Sequence, residues 1–251
     1  MAEASFDKNR YFLKDSVRLT IDFSRTGQSR GLPPPSIQKP YAPDARRIDL
    51  PAVGQWEPIP KIDLVEAMRR RQSRRAFTPK AITRDELSFL LWATQGIREV
   101  LGSGTVLRTV PSAGARHALE TYLAVLRVTG LEPAFYRYLP LEHQLLFEFA
   151  EPDAARRIEQ AALGQSFVAR AAVVFFWTAI PYRMEWRYDL AAHKAILLDA
   201  GHVCQNLYLA CEAIGAGMCA VGAYHQELTD QLLRVDGREE MTIYLAAVGR
   251  V

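Results

Sequence analysis

A run of cations between residues 69 and 75 carries the strongest chemical signal in the sequence. It reads Arg-Arg-Arg-Gln-Ser-Arg-Arg. If a helix ends within this run and the chain then extends, the alternate residues Arg71, Ser73 and Arg75 can converge on one phosphate. Arginine offers a planar fork of donors and serine a short hydroxyl, and both suit a phosphate. Two other interpretations stay open, a solvated basic helix end and a nucleic-acid patch.

Two segments rich in small residues are further candidates for a ligand site. Pro111–Ala115 reads Pro-Ser-Ala-Gly-Ala and precedes a predicted strand, so a flat ligand can approach its backbone closely. Gly215–Tyr224 contains three glycines, which again allow a close approach to the main chain. An ordinary turn also accounts for the first segment, and a helix stop followed by a tight connection also accounts for the second.

Several patterns that would indicate other chemistry are absent. The sequence contains no GxxxxGK[ST] phosphate loop and no HExxH, and the Gly215–Tyr224 segment lacks the third glycine of GxGxxG. The three cysteines, Cys204, Cys211 and Cys219, show no metal-ligand spacing and fit a reducing compartment. No apolar signal core follows the charged first residues. The sequence therefore predicts no metal site and a cytoplasmic protein.

The overall composition indicates the class of protein. A length of 251 residues with 49% hydrophobic and 24% charged residues is typical of one globular domain. The longest apolar run, Ala171–Ile180, is too short for a membrane span of ~20 residues, so we expect no membrane partner. A net charge of +3 is too small to indicate nucleic acid. The basic run also lacks the interleaved aromatic residues of such sites, so we expect no nucleic-acid partner.

The elements that must position these residues begin after a different kind of segment. Residues 1–57 contain six prolines and no sustained apolar period. They predict an extended arm that lies on the body or on a partner subunit, with one weakly alternating strand at Val17–Phe23. The body is predicted over residues 58–251.

Capping boxes mark the starts of the first two helices of the body, and the pairs are Asp63 with Glu66 and Thr83 with Glu86. The first helix is predicted over Leu64–Arg71, with an apolar stripe formed by Leu64, Val65 and Met68. The second helix is expected to end at Gly96, because glycine is a common helix stop.

The remaining pattern mixes helices and strands. Helices are predicted at Ala154–Leu163, Leu190–Ile214 and Leu228–Leu233. Strands are predicted at Leu119–Val128, Phe135–Tyr138, Leu145–Phe149, Ala172–Ala179, Met218–Val221 and Thr242–Val248. The helix Leu190–Ile214 is apolar nearly all round, which predicts a core or interface position and favours a dimer. Because strands and helices do not alternate strictly, the pattern favours an α+β fold.

Six motifs in order resemble the nitroreductase superfamily and, more narrowly, its SagB-type dehydrogenase branch. They are Arg71-Gln-Ser73-Arg-Arg75-Ala-Phe77, Glu86–Ile97, Pro111–Ala115 with Glu120-Thr-Tyr122, Leu198–Asn206, Gly215–Gly222 and Val248-Gly249-Arg250. The resemblance covers the body from about Val65 onwards. It implies a nitroreductase-like fold, with a central, mainly antiparallel sheet flanked by helices. It also implies a homodimer with one FMN at each subunit interface.

The resemblance also implies roles for individual residues. Those implied in cofactor binding are Arg71, Gln72, Ser73, Arg75, Pro111, Ser112, Ala113, Gly114, Gly222, Ala223 and Arg250. The first four and Arg250 would contact the phosphate and ribityl chain of FMN. The loop from Pro111 to Gly114 would lie along the flavin of the other subunit, and Gly222 and Ala223 would face the N5 edge of its ring.

One departure from the branch concerns the catalytic residues. Relatives that oxidise azoline rings in peptides carry a Lys-Tyr pair where this sequence has Arg187 and Tyr188. Arginine stays protonated and cannot act as a general base, whereas lysine can. We therefore expect Arg187 to stabilise negative charge and Tyr188 to donate a proton, with a hydride passing from NAD(P)H to a nitro, quinone or similar acceptor. Azoline oxidation, a flavin-binding protein without turnover, and a purely structural role for both residues stay open.

Overall fold

A seven-stranded sheet forms the centre of the molecule. The computed structural model describes residues 6–57, 59–102 and 105–251. The strands are β1 (Arg47–Asp49), β2 (Ile97–Gly102), β3 (Thr105–Arg108), β4 (Leu119–Val125), β5 (Ala134–Leu139), β6 (Gln144–Phe149), β7 (Val173–Ala179), β8 (Ala216–Val221) and β9 (Met241–Arg250). The sheet has the order β1-β6-β5-β4-β7-β9-β8 with antiparallel neighbours, and β2 and β3 form a separate hairpin. The predicted α+β fold with a mainly antiparallel sheet is confirmed.

Helices cover both faces of this sheet. The α-helices in the described part of the chain are α1 (Phe6–Leu13), α2 (Leu64–Arg70), α3 (Arg84–Gln95), α4 (Ala154–Ala161), α5 (Ser166–Ala169), α6 (Tyr182–Tyr188), α7 (Ala192–Ala213) and α8 (Gln226–Leu233). Helices α3 and α7 contribute to one apolar core, and α4, α5 and α8 contribute to the other. Within the described ranges, no helix has the length and apolar character needed to cross a membrane.

Strand β7 shows how the sequence builds two cores at once. Phe175 and Trp177 pack into the core beside α7, whereas Val174 and Phe176 pack into the core on the other face. Successive side chains of a strand point to opposite faces, so a strand covered on both sides is apolar at nearly every position. All residues of β7 are buried, as the lack of polar alternation predicts.

The two predicted capping boxes have different outcomes. Thr83 and Glu86 form the complete box at the start of α3, with each side chain bonded to the other's backbone N–H. At the start of α2, the Asp63 side chain accepts the Val65 and Glu66 N–H groups, but the Glu66 carboxylate bonds to arginines one turn later instead. Both helices therefore start where the sequence predicts.

The apolar stripe predicted on α2 does not face the core. Leu64, Val65 and Met68 are each more than half exposed, and Ala67 is the buried residue of this helix. The period of the apolar residues is helical as predicted, but the stripe points away from the chain's own core. An exposed stripe of this kind indicates a surface for a partner.

The predicted strand at Val17–Phe23 is wrong. The structure has 3₁₀ turns over Asp15–Thr20 and Phe23–Arg25 instead. The Asp22 side chain accepts the Ser24 backbone N–H at 3.1 Å and its hydroxyl at 2.6 Å, which favours a turn. Such local side-chain bonds compete with strand pairing. The arm also contains α1 and the sheet strand β1, so it is not extended throughout, and the division at residue 57 stays a prediction.

Buried charges attach the arm to the sheet near Lys39. The Glu120 carboxylate accepts the Lys39 N–H at 2.8 Å and also pairs with Arg183. The Arg137 guanidinium donates to the Lys39 carbonyl at 2.8 Å. Side chains of Glu120 and Arg137 are only 3% exposed, so these contacts are shielded from water. The arm is therefore fixed on the body at this point.

Candidate functional site

The basic run lies beside the outer strand of the sheet. Helix α2 ends at Arg70, and the chain then follows β8, with the Arg74 N–H donating to the Met218 carbonyl at 2.8 Å. Ser73 forms a parallel bridge with the same residue of β8. The extended course predicted for this run is therefore present.

The arginines of the run fall into paired and unpaired groups. Three have acidic partners, and the pairs are Arg69 with Glu66, Arg70 with Glu66 and Arg74 with Glu212. Arg71 and Arg75 form no ion pair with any described residue. The charges of Arg71 and Arg75, four residues apart on an extended chain, are therefore not neutralised by any described residue, and both are available to an anion.

Tyr208 of α7 organises this part of the site. Its hydroxyl lies 2.7 Å from the Ser73 Oγ and accepts the Ala220 N–H at 3.1 Å. The Arg71 guanidinium lies 5.2 Å from the centre of the Tyr208 ring, within cation–π range. Because the Tyr208 proton can be donated to Ser73, the Ser73 proton stays available to a ligand. Sequence analysis missed Tyr208, although it follows the Leu198–Asn206 motif by two residues.

Arg75 and the residues after β8 both contact the segment at the start of α5. The Arg75 guanidinium lies 5.8 Å from the Phe167 ring centre, and the Ala223 carbonyl accepts a bond from Gln165 at 2.8 Å. Gly222 and Ala223 are exposed, as is Gln72 within the basic run. Arg71, Gln72, Ser73 and Arg75, with Tyr208 and the end of β8, are called the basic site below.

Arg250, which the resemblance implies in phosphate binding, bonds to residues outside the basic site. Its guanidinium bonds to the Glu86 carboxylate and the Ile214 carbonyl, and among the described residues it has no bond to the basic site. Because Glu86 neutralises its charge, Arg250 is less available to an anion than Arg71 or Arg75. Its part in cofactor binding stays a prediction.

The loop Pro111–Ala115 packs directly against the predicted catalytic pair. Gly114 has a φ of +58°, and a Cβ there would lie 2.4 Å from the Tyr188 Oη and 2.8 Å from the Arg187 Nε. Arg187 and Tyr188 end helix α6 and are half-buried, with the guanidinium 5.5 Å from the ring centre. A side chain at this position would require Tyr188 or Arg187 to move, and the left-handed φ favours glycine. We call Pro111–Ala115 the Gly114 loop.

The carboxylate of Asp199 in α7 accepts hydrogen bonds from the Gly114 loop. Its Oδ1 accepts the Ala113 N–H at 3.3 Å, and its carboxylate also accepts a bond from the Ser112 side chain. The Ser112 Oγ in turn accepts the His117 N–H at 2.9 Å. Burial raises the pKa of the Asp199 carboxyl above its ordinary value. Sequence analysis missed this role, although an acid inside an apolar helix is itself a signal.

The two parts of the site lie on opposite sides of α7. Asp199 touches the Gly114 loop and Tyr208 touches the basic site. Nine residues separate them, which is about two and a half turns of an α-helix and places them on opposite faces. One chain therefore assembles each part but does not bring the two parts together.

One further pattern shows no catalytic geometry. Residues 27–31 have the Gly-x-Ser-x-Gly spacing of a nucleophile elbow, which requires a strand-to-helix turn. Here the segment follows a 3₁₀ turn, and Ser29 Oγ accepts a bond from the Thr26 hydroxyl at 3.1 Å. No described histidine bonds to Ser29.

Comparison with known proteins decides the family. The model of the Nitroreductase family matches residues 68–250. The chain belongs to the nitroreductase family. A Methanocaldococcus jannaschii protein that carries the name of a nitroreductase is 32% identical over 196 residues, which is 78% of this chain and 95% of the relative. Membership in this family supports an oxidoreductase that uses a flavin.

Solved structures agree with this assignment. A nitroreductase-family structure from Ralstonia eutropha JMP134 has a TM-score of 0.68 at 26% identity and covers 88% of this chain and 94% of its own. One from Anabaena variabilis also has a TM-score of 0.68, at 27% identity. The match to the Anabaena variabilis structure covers 83% of this chain. It covers only 42% of the Anabaena variabilis protein, which is longer.

Two further likenesses are to a trifolitoxin-processing protein and to a microcin synthetase complex. The Trifolitoxin-processing protein TfxB of Rhizobium leguminosarum is 25% identical over 133 residues, which is 51% of this chain and 36% of TfxB. The E. coli microcin synthetase McbBCD complex shares the fold, with a TM-score of 0.61 at 16% identity over the whole chain.

Proposed function

We propose that this nitroreductase-family chain is an FMN-dependent oxidoreductase that works as a homodimer. A hydride would pass between NAD(P)H and a small electrophilic acceptor such as a nitro or quinone compound. The observation that carries this proposal is the basic site, where two arginines without acidic partners flank the Ser73 and Tyr208 hydroxyls. We place the protein in the cytoplasm, as the sequence predicts.

The donors of the basic site suit the phosphate of FMN. A doubly charged phosphate accepts several charge-assisted bonds, and Arg71, Arg75 and the Ser73 hydroxyl can supply them. The site is compact and the sequence has no dinucleotide fingerprint, which favours FMN over FAD. A bound FMN would supply hydride transfer at N5, while the protein contributes position and electrostatics.

The arrangement around α7 supports a dimeric site. In one chain the basic site and the Gly114 loop lie on opposite faces of this helix, so a flavin touching both needs a second copy. Exposed apolar side chains on α2 and α7 supply a surface for that copy, and they are Leu64, Val65, Met68, Leu197 and Leu198. Large exposed apolar patches mark interaction surfaces.

Arg187 and Tyr188 are proposed to act on the acceptor. The Arg187 guanidinium can stabilise negative charge that develops as the acceptor is reduced, and the Tyr188 hydroxyl can donate a proton. Their contact with Gly114 places both next to the loop that we propose lines the flavin. Gln72, Gly222 and Ala223 would complete the surroundings of the cofactor.

Cofactor analysis and sedimentation test the proposal together. We expect protein that is purified, or reconstituted with flavin, to release FMN on denaturation and to sediment as a dimer at low micromolar concentration. FAD as the main species, or no bound flavin after reconstitution, contradicts the cofactor assignment. A stable monomer that retains FMN contradicts the shared site.

Azoline oxidation is the second candidate, and the similarity to TfxB favours it. Two assays separate the candidates, one following NAD(P)H oxidation with a nitroarene and the other following conversion of a thiazoline peptide to a thiazole. We expect the wild type to be active in the first assay only, because Arg187 cannot act as a base. Thiazole formation by the wild type would establish the alternative, and formation only by Arg187→Lys would show that this residue selects the reaction. Flavin binding without activity in either assay would indicate a carrier.

A further inference from the structure

A cavity of about 350 Å³ adjoins the Gly114 loop. This volume is within the ~300–1,000 Å³ typical of small-ligand sites. The polar side chains that line the cavity are those of Arg98, Arg108, Thr109, Ser112 and His117. Pro111 and Ser112 belong both to this cavity and to the loop that packs on the catalytic pair.

Arg108 brings a buried positive charge to the cavity wall. It is 4% exposed, and its guanidinium donates to the Gln95 Oε1 at 2.7 Å and the Ile37 carbonyl at 2.9 Å. Both acceptors are neutral, and the Arg108 Nε has no hydrogen-bond partner among the described residues. Burial lowers the pKa of Arg108 to about 10, so the group still carries its charge at neutral pH. The nearby Glu120 carboxylate is already bonded elsewhere.

Arg98 adds a second charge at the rim. It is exposed on β2 and has no hydrogen bond or ion pair with any described residue. No aspartate or glutamate is among the described residues that line the cavity. Burial, and next to it Arg108, lower the pKa of His117 to about 3, so His117 is neutral. The described lining of the cavity therefore carries two positive charges and no negative one.

The hydroxyls of the cavity are engaged within the chain. Thr109 donates to the Trp92 carbonyl at 2.8 Å, and Ser112 bonds to Asp199. Recognition of a ligand therefore depends on the two arginines. Of these, Arg98 is exposed and Arg108 is buried. Arg98 and Thr109 also line an adjoining groove of about 440 Å³ with Phe89 and Trp92 in its wall.

We propose that this cavity is an anion subsite, which takes a carboxylate or phosphate of a substrate whose aromatic or apolar part lies in the adjoining groove. Arg98 would bond to the anion, and Arg108 would provide a fixed field behind it. The inference rests on the proposed function in one respect, because the Gly114 loop is what would place this ligand beside the flavin.

Kinetics with a matched pair of acceptors test the subsite. We expect 4-nitrobenzoate to have a lower KM than 4-nitrobenzamide, which has the same shape without the charge. Arg98→Gln should raise the KM of the acid about 10-fold, in keeping with a lost charge-assisted bond, and leave its kcat and both constants of the amide within about twofold. Arg156→Gln is the matched control, because Arg156 is exposed and lies on α4.

The nicotinamide donors distinguish the source of the anion. If the subsite takes a phosphate of the donor, Arg98→Gln raises the KM of NADPH or NADH and not that of 4-nitrobenzoate. Either pattern supports the anion subsite and assigns its ligand. Unchanged KM values for the acid and for both donors would overturn it.

Calorimetry separates this inference from the proposed function. We expect benzoate to bind the whole protein at least about 10-fold more tightly than benzamide, and Arg98→Gln to remove the difference. If the protein binds no flavin but still prefers benzoate, the subsite stands and the proposed function fails. If flavin binds and turns over, benzoate and benzamide bind equally, and Arg98→Gln leaves the KM of both nicotinamide donors unchanged, the subsite is wrong. An unchanged melting temperature of Arg98→Gln verifies that the variant is folded.

Discussion

The basic site and the Gly114 loop achieve their local order in opposite ways. The basic site holds Arg71 and Arg75, which pair with no acidic residue in the described part of the chain, and the Tyr208 hydroxyl hydrogen-bonds to Ser73, which lies between them in the sequence. The Gly114 loop is positioned by a buried carboxylate and by a glycine at a φ of +58°. The basic site depends on its arginine, serine and tyrosine side chains. The Gly114 loop depends on the lack of a side chain at Gly114. Substitutions should therefore affect the first through affinity and the second through geometry.

Removing the unpaired charges should have the largest effect. Arg71→Ala or Arg75→Ala loses charge-assisted bonds of ~1.5–3 kcal/mol, so FMN affinity should fall ~10- to 150-fold. Arg69→Ala is the matched control, because Arg69 already pairs with Glu66. Equilibrium titration with FMN measures both. If FMN affinity changes by less than about twofold in both the Arg71 and the Arg75 variants, the basic run is a solvated helix end and not a phosphate site.

A methyl group at Gly114 should reduce turnover strongly. Gly114→Ala places a Cβ against the Tyr188 Oη and Arg187 Nε in a left-handed backbone conformation. Strain of this kind costs ~1–3 kcal/mol, so we expect kcat to fall ~5- to 150-fold while FMN remains bound. Gly54→Ala, at an exposed position with a φ of +82° and open space around it, serves as the control. Equal kcat values for the two variants would show that the loop does not position the pair.

Tyr208→Phe should have a moderate effect confined to the basic site. The variant loses the bonds to Ser73 and Ala220 but keeps the ring beneath Arg71. Of these two bonds, only the one to Ser73 is at the ligand, and a neutral hydrogen bond contributes ~0.5–1.5 kcal/mol, so FMN affinity should fall ~2- to 10-fold without loss of kcat. Tyr136→Phe removes a comparable hydroxyl bond, to the Glu132 carbonyl, outside the basic site and is the control. A loss of kcat at saturating FMN would assign Tyr208 a role beyond binding.

Asp199→Asn should have the smallest effect, and its sign depends on pH. Burial raises the pKa of Asp199, so its ionisation costs stability once pH rises above the ordinary value of 3.8. The asparagine variant should therefore have the higher free energy of unfolding at pH 7, and the difference should disappear in acid. Denaturant unfolding at several pH values measures this.

Asp236→Asn provides a control of opposite sign. Backbone N–H bonds from residues 238–240 lower the pKa of Asp236, so ionisation stabilises the fold at neutral pH. This variant should be less stable than the wild type at pH 7. If both variants shift stability in the same direction, burial is not what governs Asp199.

Features with a local cause could be predicted from sequence. The Thr83–Glu86 box forms within one helical turn, and the apolar run of β7 needs only the period of a strand. The Arg71–Arg75 spacing likewise follows from an extended backbone. These predictions succeed because the interactions that fix them lie within a few residues of one another.

Features that depend on distant contacts could not be predicted. Tyr208 joins Ser73 across 135 positions, and the exposed stripe of α2 depends on which side of the helix meets the body. The sequence analysis also missed helix α6 and the hairpin β2–β3. In the hairpin, register irregularities interrupt the pairing, which obscures the two-residue period of a strand. Val17–Phe23 shows the reverse, because its weak alternation is outweighed by the side-chain bonds of Asp22.

The placement of β1 has a consequence for aggregation. This strand of three residues pairs with β6 at one border of the sheet, and Arg74 bonds to β8 at the other. A short outermost strand gives another molecule little to pair with, whereas an uncovered β6 would offer a longer row of free N–H and carbonyl groups. The buried bonds at Lys39 hold β1 close to its place, so the arm protects the protein against self-association through sheet extension.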